Sequence, residues 1–161
     1  MTNTRDILEA LATGKIDIEE AERELRSLAV ARVGDIGMID VNRQERSGVP
    51  EVVFAESKNK ETLVEIVGAM VKKKEAVLLT RVNAAKLDAL RTSLRHLSFD
   101  VNGHEDHLTV LVHTTEWSEP PKKGKIAIIT AGTSDIAYAR EAEAISRVMG
   151  VEALTFYDIG V

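Results

Sequence analysis

The chain has 161 residues, 44% of them apolar and 29% charged, with a formal net charge of -5. That suits one or two small domains with an ordinary core, and it argues against a general nucleic-acid binder while leaving room for local basic pockets. No cysteine is present, which excludes disulfides, thiolate metal sites and cysteine nucleophiles within the chain.

Thr4 to Leu28 predicts a helical hairpin. Ile7, Leu8 and Leu11 share one face, Thr13-Gly14-Lys15 breaks the helix, and Asp17 with Glu20 has the spacing of a capping box. The N-terminus lacks the apolar core and cleavage site of a signal peptide, and no run approaches the ~20 apolar residues of a membrane span. A cytoplasmic protein with no membrane partner is therefore expected.

Val30 to Lys58 has weaker periodicity. Asp40, Arg43 and Arg46 lie three apart, on one face if helical and not if extended. Ser47 to Pro50 reads as a turn and Glu51 to Ala55 as a short strand. Two arginines before such a turn offer paired donors for a phosphate or carboxylate; the plainer reading is a solvated cluster in which Asp40 pairs with Arg43.

Asn59 to Lys74 predicts an amphipathic helix with Leu63, Ile66, Val67, Met70 and Val71 inward. The run Lys72-Lys73-Lys74 falls at its C-terminus, where cations suit the helix dipole. Ala76 to Thr80 reads as a strand with Arg81 just past its end, and Ala84 to Leu97 as a helix with Leu87, Leu90 and Leu94 on one face. Thr80 and Arg81 thus lie at a strand's carboxyl end, where open α/β sheets gather ligands. Ser98 to Val101 and Leu108 to His113 are expected strands around a six-residue hairpin loop, Asn102 to His107. His104 and His107, with Glu105 and Asp106, match no defined ligand spacing, so no metal site is assigned.

Thr114 to Gly124 reads as a linker, and Trp117 is expected to pin it onto one domain. Beyond it, Ile126 to Ile129 is a strand, Thr130 to Asp135 a small-residue loop, and Ile136 to Gly150 a helix that Ser134 or Asp135 can cap and Gly150 can stop. Ala153 to Tyr157 follows as a second strand. Backbone N–H groups at such a strand–loop–helix junction form an anion cradle. Gly132 lets a ligand approach the backbone, the Thr133 and Ser134 hydroxyls suit phosphate, and Asp135 suits ribose hydroxyls. The alternative is a capped helix start with no ligand. The loop lacks the glycine fingerprints of dinucleotide dehydrogenases and P-loop NTPases.

The strand followed by Ala131-Gly132-Thr133-Ser134-Asp135 resembles the ribose-phosphate loop that opens the phosphoribosylaminoimidazole carboxylase (PurE) family. A closer resemblance is to the LarB family of nickel-pincer cofactor biosynthesis, which places another domain ahead of a PurE-like one. Its first motif is met by Asp40, Arg43, Arg46, Gly48, Pro50, Glu51 and Val52, its Thr-Arg by Thr80 and Arg81, its loop by Ala131 to Asp135, and its last motif by Tyr157 to Val161. Ser57 stands where glycine usually precedes Lys58, and Ala137 where proline often follows Asp135.

The resemblance implies an α/β fold: a helical hairpin over 1–28, an α/β domain over 29–114, a linker over 115–124, and over 125–161 the first strand–helix–strand unit of a flavodoxin-like parallel sheet. It implies a carboxylase and hydrolase that converts nicotinic acid adenine dinucleotide into a biscarboxylated pyridinium mononucleotide, with carbon dioxide or bicarbonate as co-substrate. No tightly bound cofactor is implied, and a magnesium ion is compatible with the phosphates but not derivable from these residues. Ala131, Gly132, Thr133, Ser134, Asp135 and Arg81 would hold substrate; Asp40, Arg43, Arg46 and Lys58 would contact ligand or bridge domains. The family's cysteine would lie beyond Val161, so the chain is expected to be a truncated form, or the product of a split or frameshifted gene, and inactive alone; the full-length protein is expected to be a homo-oligomer, an octamer in relatives. A purine-pathway carboxylase or a non-catalytic nucleotide-binding module are the alternatives.

Overall fold

The computed structural model describes residues 4–33, 37–40, 49–104 and 106–160, with the backbone alone for those between 26 and 40. The backbone divides into two compact units, Met1–Gly48 and Val49–Val161.

In the first unit, α1 (Thr4–Ala12) and α2 (Ile18–Ala29) form the expected hairpin, with Ile7 and Ala21 buried. The Asp17 carboxylate accepts the Glu20 N–H at 2.7 Å, which caps α2 as its spacing predicts. Strands β1 (Val30–Val33) and β2 (Gly37–Asp40) pair antiparallel, with Asp40 opposite Val30.

The second unit is built on a mixed four-stranded sheet. Its strands are β3 (Val52–Phe54), β4 (Ala76–Val82), β5 (Ser98–His104) and β6 (His107–His113), in the order β3-β4-β6-β5. β3 and β4 run parallel because α3 (Lys60–Lys74) crosses between them; β4–β6 and β5–β6 are antiparallel. Asn59 caps α3 by accepting the Thr62 N–H at 2.8 Å, and Asn83 caps α4 (Ala84–Ser93) by accepting that of Lys86 at 2.9 Å. Leu63, Ile66, Val67, Met70 and Val71 are all buried, as the helical spacing predicts.

Strand alternation divides the sheet residues into two faces. Val77, Leu79, Val110 and Val112 form a wholly aliphatic face, each almost fully buried, against α3. Leu78, Thr109, Leu111, Asp100 and Asn102 form the opposite face, which is mixed in polarity. The mixed face is covered by α5 (Ile136–Val148), the helix of the last strand–helix–strand unit. Its strands β7 (Gly124–Ile129) and β8 (Val151–Phe156) pair parallel as a separate two-stranded sheet.

The structure corrects two expectations here. β4 does not end at Thr80 but runs to Val82, with a register shift between Leu79 and Val82. The hairpin between β5 and β6 is not a six-residue loop, because pairing continues to His104 and His107. Gly103 lies inside the strand, where a Cβ would come within 2.4 Å of the His107 carbonyl oxygen. Trp117 touches both flanks of the expected linker, not one alone: its ring lies 4.9 Å from that of His113 on β6, and the Arg147 guanidinium of α5 stands 5.6 Å from it.

Gly150 ends α5 with φ +73°, and a Cβ there would come within 2.6 Å of the Pro121 carbonyl oxygen. Gly150→Ala therefore meets both a left-handed backbone and a backbone clash. It should destabilise the protein by roughly 1–3 kcal/mol, lowering the thermal midpoint by about 3–10 °C in a calorimetric scan.

Candidate functional site

Two loops meet at the carboxyl ends of β7 and β8, held together by Thr130. The Thr130 N–H donates to the Phe156 carbonyl at 3.0 Å, and its hydroxyl oxygen accepts the Asp158 N–H at 3.0 Å. Its carbonyl accepts the Ile159 N–H, and the Ala131 carbonyl accepts that of Gly160, both at 3.1 Å. Asp158 adopts φ +53° to make this turn. The loop that opens α5 and the segment Tyr157–Gly160 are thus bonded side by side.

Thr133–Asp135 forms a single 3-10 turn leading into α5, with Gly132 as its cap residue. The expected side-chain cap is absent: neither Ser134 nor Asp135 closes a capping hydrogen bond. Asp135 already has helical dihedrals, φ -89° and ψ -11°, so its carboxylate is not carried back over the first turn. Thr133, Ser134 and Asp135 are exposed, and among the described residues their side chains make no hydrogen bond. The junction therefore presents two hydroxyls, a carboxylate and the first N–H groups of a helical turn to solvent.

Arg81 sits in the irregular part of β4 with φ +54°, an unusual conformation for a residue with a Cβ. The chain turns this bulge to aim a side chain. The guanidinium lies 4.7 Å from the Phe54 ring centroid and 5.4 Å from that of Tyr138. Its Nη1 pairs with Glu56 at 3.2 Å and its Nε with Glu141 at 3.4 Å. Desolvation lowers its proton affinity, but the hydrogen bond it donates to Glu56 and the charge of Glu141 outweigh this and hold its pKa above the ordinary value. Lys86 fixes the base of the cluster through bonds from Nζ to the Ala55 and Glu56 carbonyls at 2.8 and 2.9 Å.

Arg81 is therefore brought to α5, three and six residues beyond Asp135, and not to the loop side chains themselves. Lys58 stands in the turn after β3, where its N–H donates to the Ala55 carbonyl at 3.1 Å. Asp40 ends β2 in the other compact unit, and Arg43 and Arg46 lie outside the described residues. His104 and His107 are cross-strand partners, and the His107 ring meets Tyr138 edge-on at 5.8 Å.

The sequence reading missed Tyr138, Glu141 and Glu143, and it quoted Tyr157 only as part of a motif, with no role. Tyr138 and Glu141 are three apart on α5 and share a face, a signal that attention to the apolar stripe alone passes over. Tyr157 donates its hydroxyl to Glu143 at 2.8 Å, tying the end of β8 to the middle of α5.

Residues 30–105 match the family model described as the LarB/PurE-like N-terminal domain. A relative from Methanocaldococcus jannaschii, named only as an uncharacterized protein, is 33% identical over 162 residues. That alignment takes in 99% of this chain but 62% of the relative, so the chain spans less than two thirds of its length. Among the described residues no helix is long and apolar enough to cross a membrane.

Burial, reinforced by the Glu143 carboxylate, raises the Tyr157 pKa. A raised folded-state pKa gives stability that is whole below the ordinary tyrosine value of about 10 and is lost as pH rises through the folded value. Urea midpoints measured from pH 8 to 11 should therefore fall at the alkaline end. Tyr157→Phe should make that fall shallower, and an unchanged slope would deny the coupling.

Proposed function

We propose that the chain is the substrate-holding portion of a LarB-like carboxylase and hydrolase acting on nicotinic acid adenine dinucleotide. The reading rests on the family match over residues 30–105 and on one structural observation. At the carboxyl ends of two parallel strands, Thr133, Ser134 and Asp135 stand unengaged beside the Tyr157–Gly160 segment.

In this reading the hydroxyls of Thr133 and Ser134, with the N–H groups of the turn, hold a substrate phosphate, and Asp135 accepts from ribose hydroxyls. Arg81 neutralises phosphate charge by exchanging the exposed Glu56 carboxylate for a phosphate oxygen, while Glu141 and the two aromatic rings keep its plane fixed. Asp40, Arg43, Arg46 and Lys58 serve as further ligand or bridging contacts. The ring carbon then loses a proton as it bonds to carbon dioxide, and water cleaves the phosphoanhydride to release AMP. The family's covalent step uses a cysteine, which this sequence does not contain, so the proposal gives this chain binding and orientation only. The exposed Ile126, Ile129, Leu154 and Phe156 of the two-stranded sheet support a covering layer in the working homo-oligomer, because parallel sheets are stable with both faces buried.

Titration calorimetry tests the assignment. Nicotinic acid adenine dinucleotide should bind, aminoimidazole ribonucleotide should not, and Asp135→Ala should weaken binding by about tenfold or more, the worth of one or two hydrogen bonds to a charged acceptor. The opposite substrate preference would sink the family-specific activity. Unchanged affinity in the variant would return the loop to a plain helix start.

A further inference from the structure

The mixed face of the four-stranded sheet and α5 do not close on each other completely. Between them lies a cleft of about 310 Å³, floored by Leu78 and Leu111 and bordered by Asp100, Asn102, Thr109, Glu143 and Arg147. Thr109 is 3% exposed, yet its hydroxyl has no hydrogen-bond partner among the described residues. Buried hydroxyls are nearly always paired, so an orphan lining a cleft is a group prepared for something that enters it.

The other polar groups define what enters. Arg147 is already engaged, by Asp100 at 2.8 Å and by Glu119. Glu143 accepts from Tyr157 through one oxygen, which leaves the other to accept. Asn102 uses its side-chain oxygen to accept the Gly103 N–H at 2.8 Å, so its amide hydrogens are left to donate. Two carboxylates against one committed guanidinium disfavour an anion. Hydroxyl donors meet acceptors, and the leucine floor suits the C–H face of a compact body. The volume is at the small end of ligand sites.

We infer that this cleft is a binding site for a small, uncharged, polyhydroxylated ligand, of pentose to nucleoside size. It is separate from the loop at Ala131 to Asp135: Glu143 lies eight residues beyond Asp135, about 12 Å along the helix. The inference therefore does not depend on the substrate proposed above. The Glu143–Tyr157 bond nevertheless connects an occupant of the cleft to the segment that packs on that loop.

Amide NMR titrations of the intact chain with D-ribose and with adenosine test it. Saturable shifts at Thr109, Asn102 and Ala144 are expected; response to ribose identifies a free sugar and response to adenosine alone a nucleoside, and either supports the site. Thr109→Val should weaken that binding by about tenfold while leaving the thermal midpoint equal or higher, because its hydroxyl has no native partner to lose. Glu143→Gln, which still accepts from Tyr157, should weaken binding similarly. The inference is overturned if neither probe gives saturable shifts at millimolar concentration, if the shifts fall only on the 131–135 and 157–160 loops, if a simple alkylammonium binds there and ribose and adenosine do not, or if Thr109→Val retains full affinity.

Discussion

The position of α5 across the mixed face of the sheet is the constraint on which the candidate site depends. The helix buries little apolar bulk, since its buried residues are Ala139 and Ser146. Two arginines tie it down instead, one from the sheet and one from the helix itself. Arg81 reaches from β4 to Glu141 and Tyr138, and Arg147 reaches from α5 back to Asp100 and out to Glu119 and Trp117. Part-exposed ion pairs each contribute only about 0.2–1 kcal/mol, so these ties define where the helix lies more than how strongly it is held. That position in turn fixes the loop, because the 3-10 turn at Thr133–Asp135 runs directly into α5.

The same arrangement explains why the sheet's two faces differ. Val77, Leu79, Val110 and Val112 meet a helix rich in large side chains and need no polar partners. Asp100, Asn102 and Thr109 meet a helix of small residues carrying charged side chains. Ion pairing there compensates for thin apolar packing and leaves open the cleft that Thr109 lines, where its hydroxyl has no hydrogen-bond partner among the described residues. A single register of alternation in β5 and β6 thus separates a structural face from a chemically equipped one.

Local physics made most of the elements legible. The inward face of α3, the Asp17 cap and the Gly150 stop follow from spacing and residue type, and the structure has them. What was not legible depended on tertiary contacts. Nothing in Leu78-Leu79-Thr80-Arg81 announces that Arg81 takes a left-handed φ inside the strand; the bulge makes sense only with Phe54, Glu56, Tyr138 and Glu141 around it. Asn102-Gly103 reads as a turn because that dipeptide favours turns, but here the glycine answers to the nearby His107 carbonyl within a continuing strand. For the site, sequence picked out the 131–135 loop and Arg81, but not the residues of α5 that lie between them.

Three of the six glycines of the second unit separate structural need from another kind of demand. Gly103 and Gly150 have positive φ and backbone oxygens within 2.4 and 2.6 Å of a built Cβ, so the chain itself requires glycine there. Gly132 differs. Its dihedrals, φ -129° and ψ 164°, are open to any residue, and a Cβ would meet nothing nearer than the Ser134 hydroxyl at 3.9 Å. Relative to alanine, glycine carries an entropic penalty of roughly 0.5–1 kcal/mol in ordered backbone, and nothing in the fold offsets it at this position. In the proposed reading a phosphate would, because a Cβ at Gly132 would crowd its approach to the N–H groups of the turn. Gly132, like Gly124, is thus a glycine that the chain's own packing does not demand, and at position 132 the proposed ligand would supply the demand.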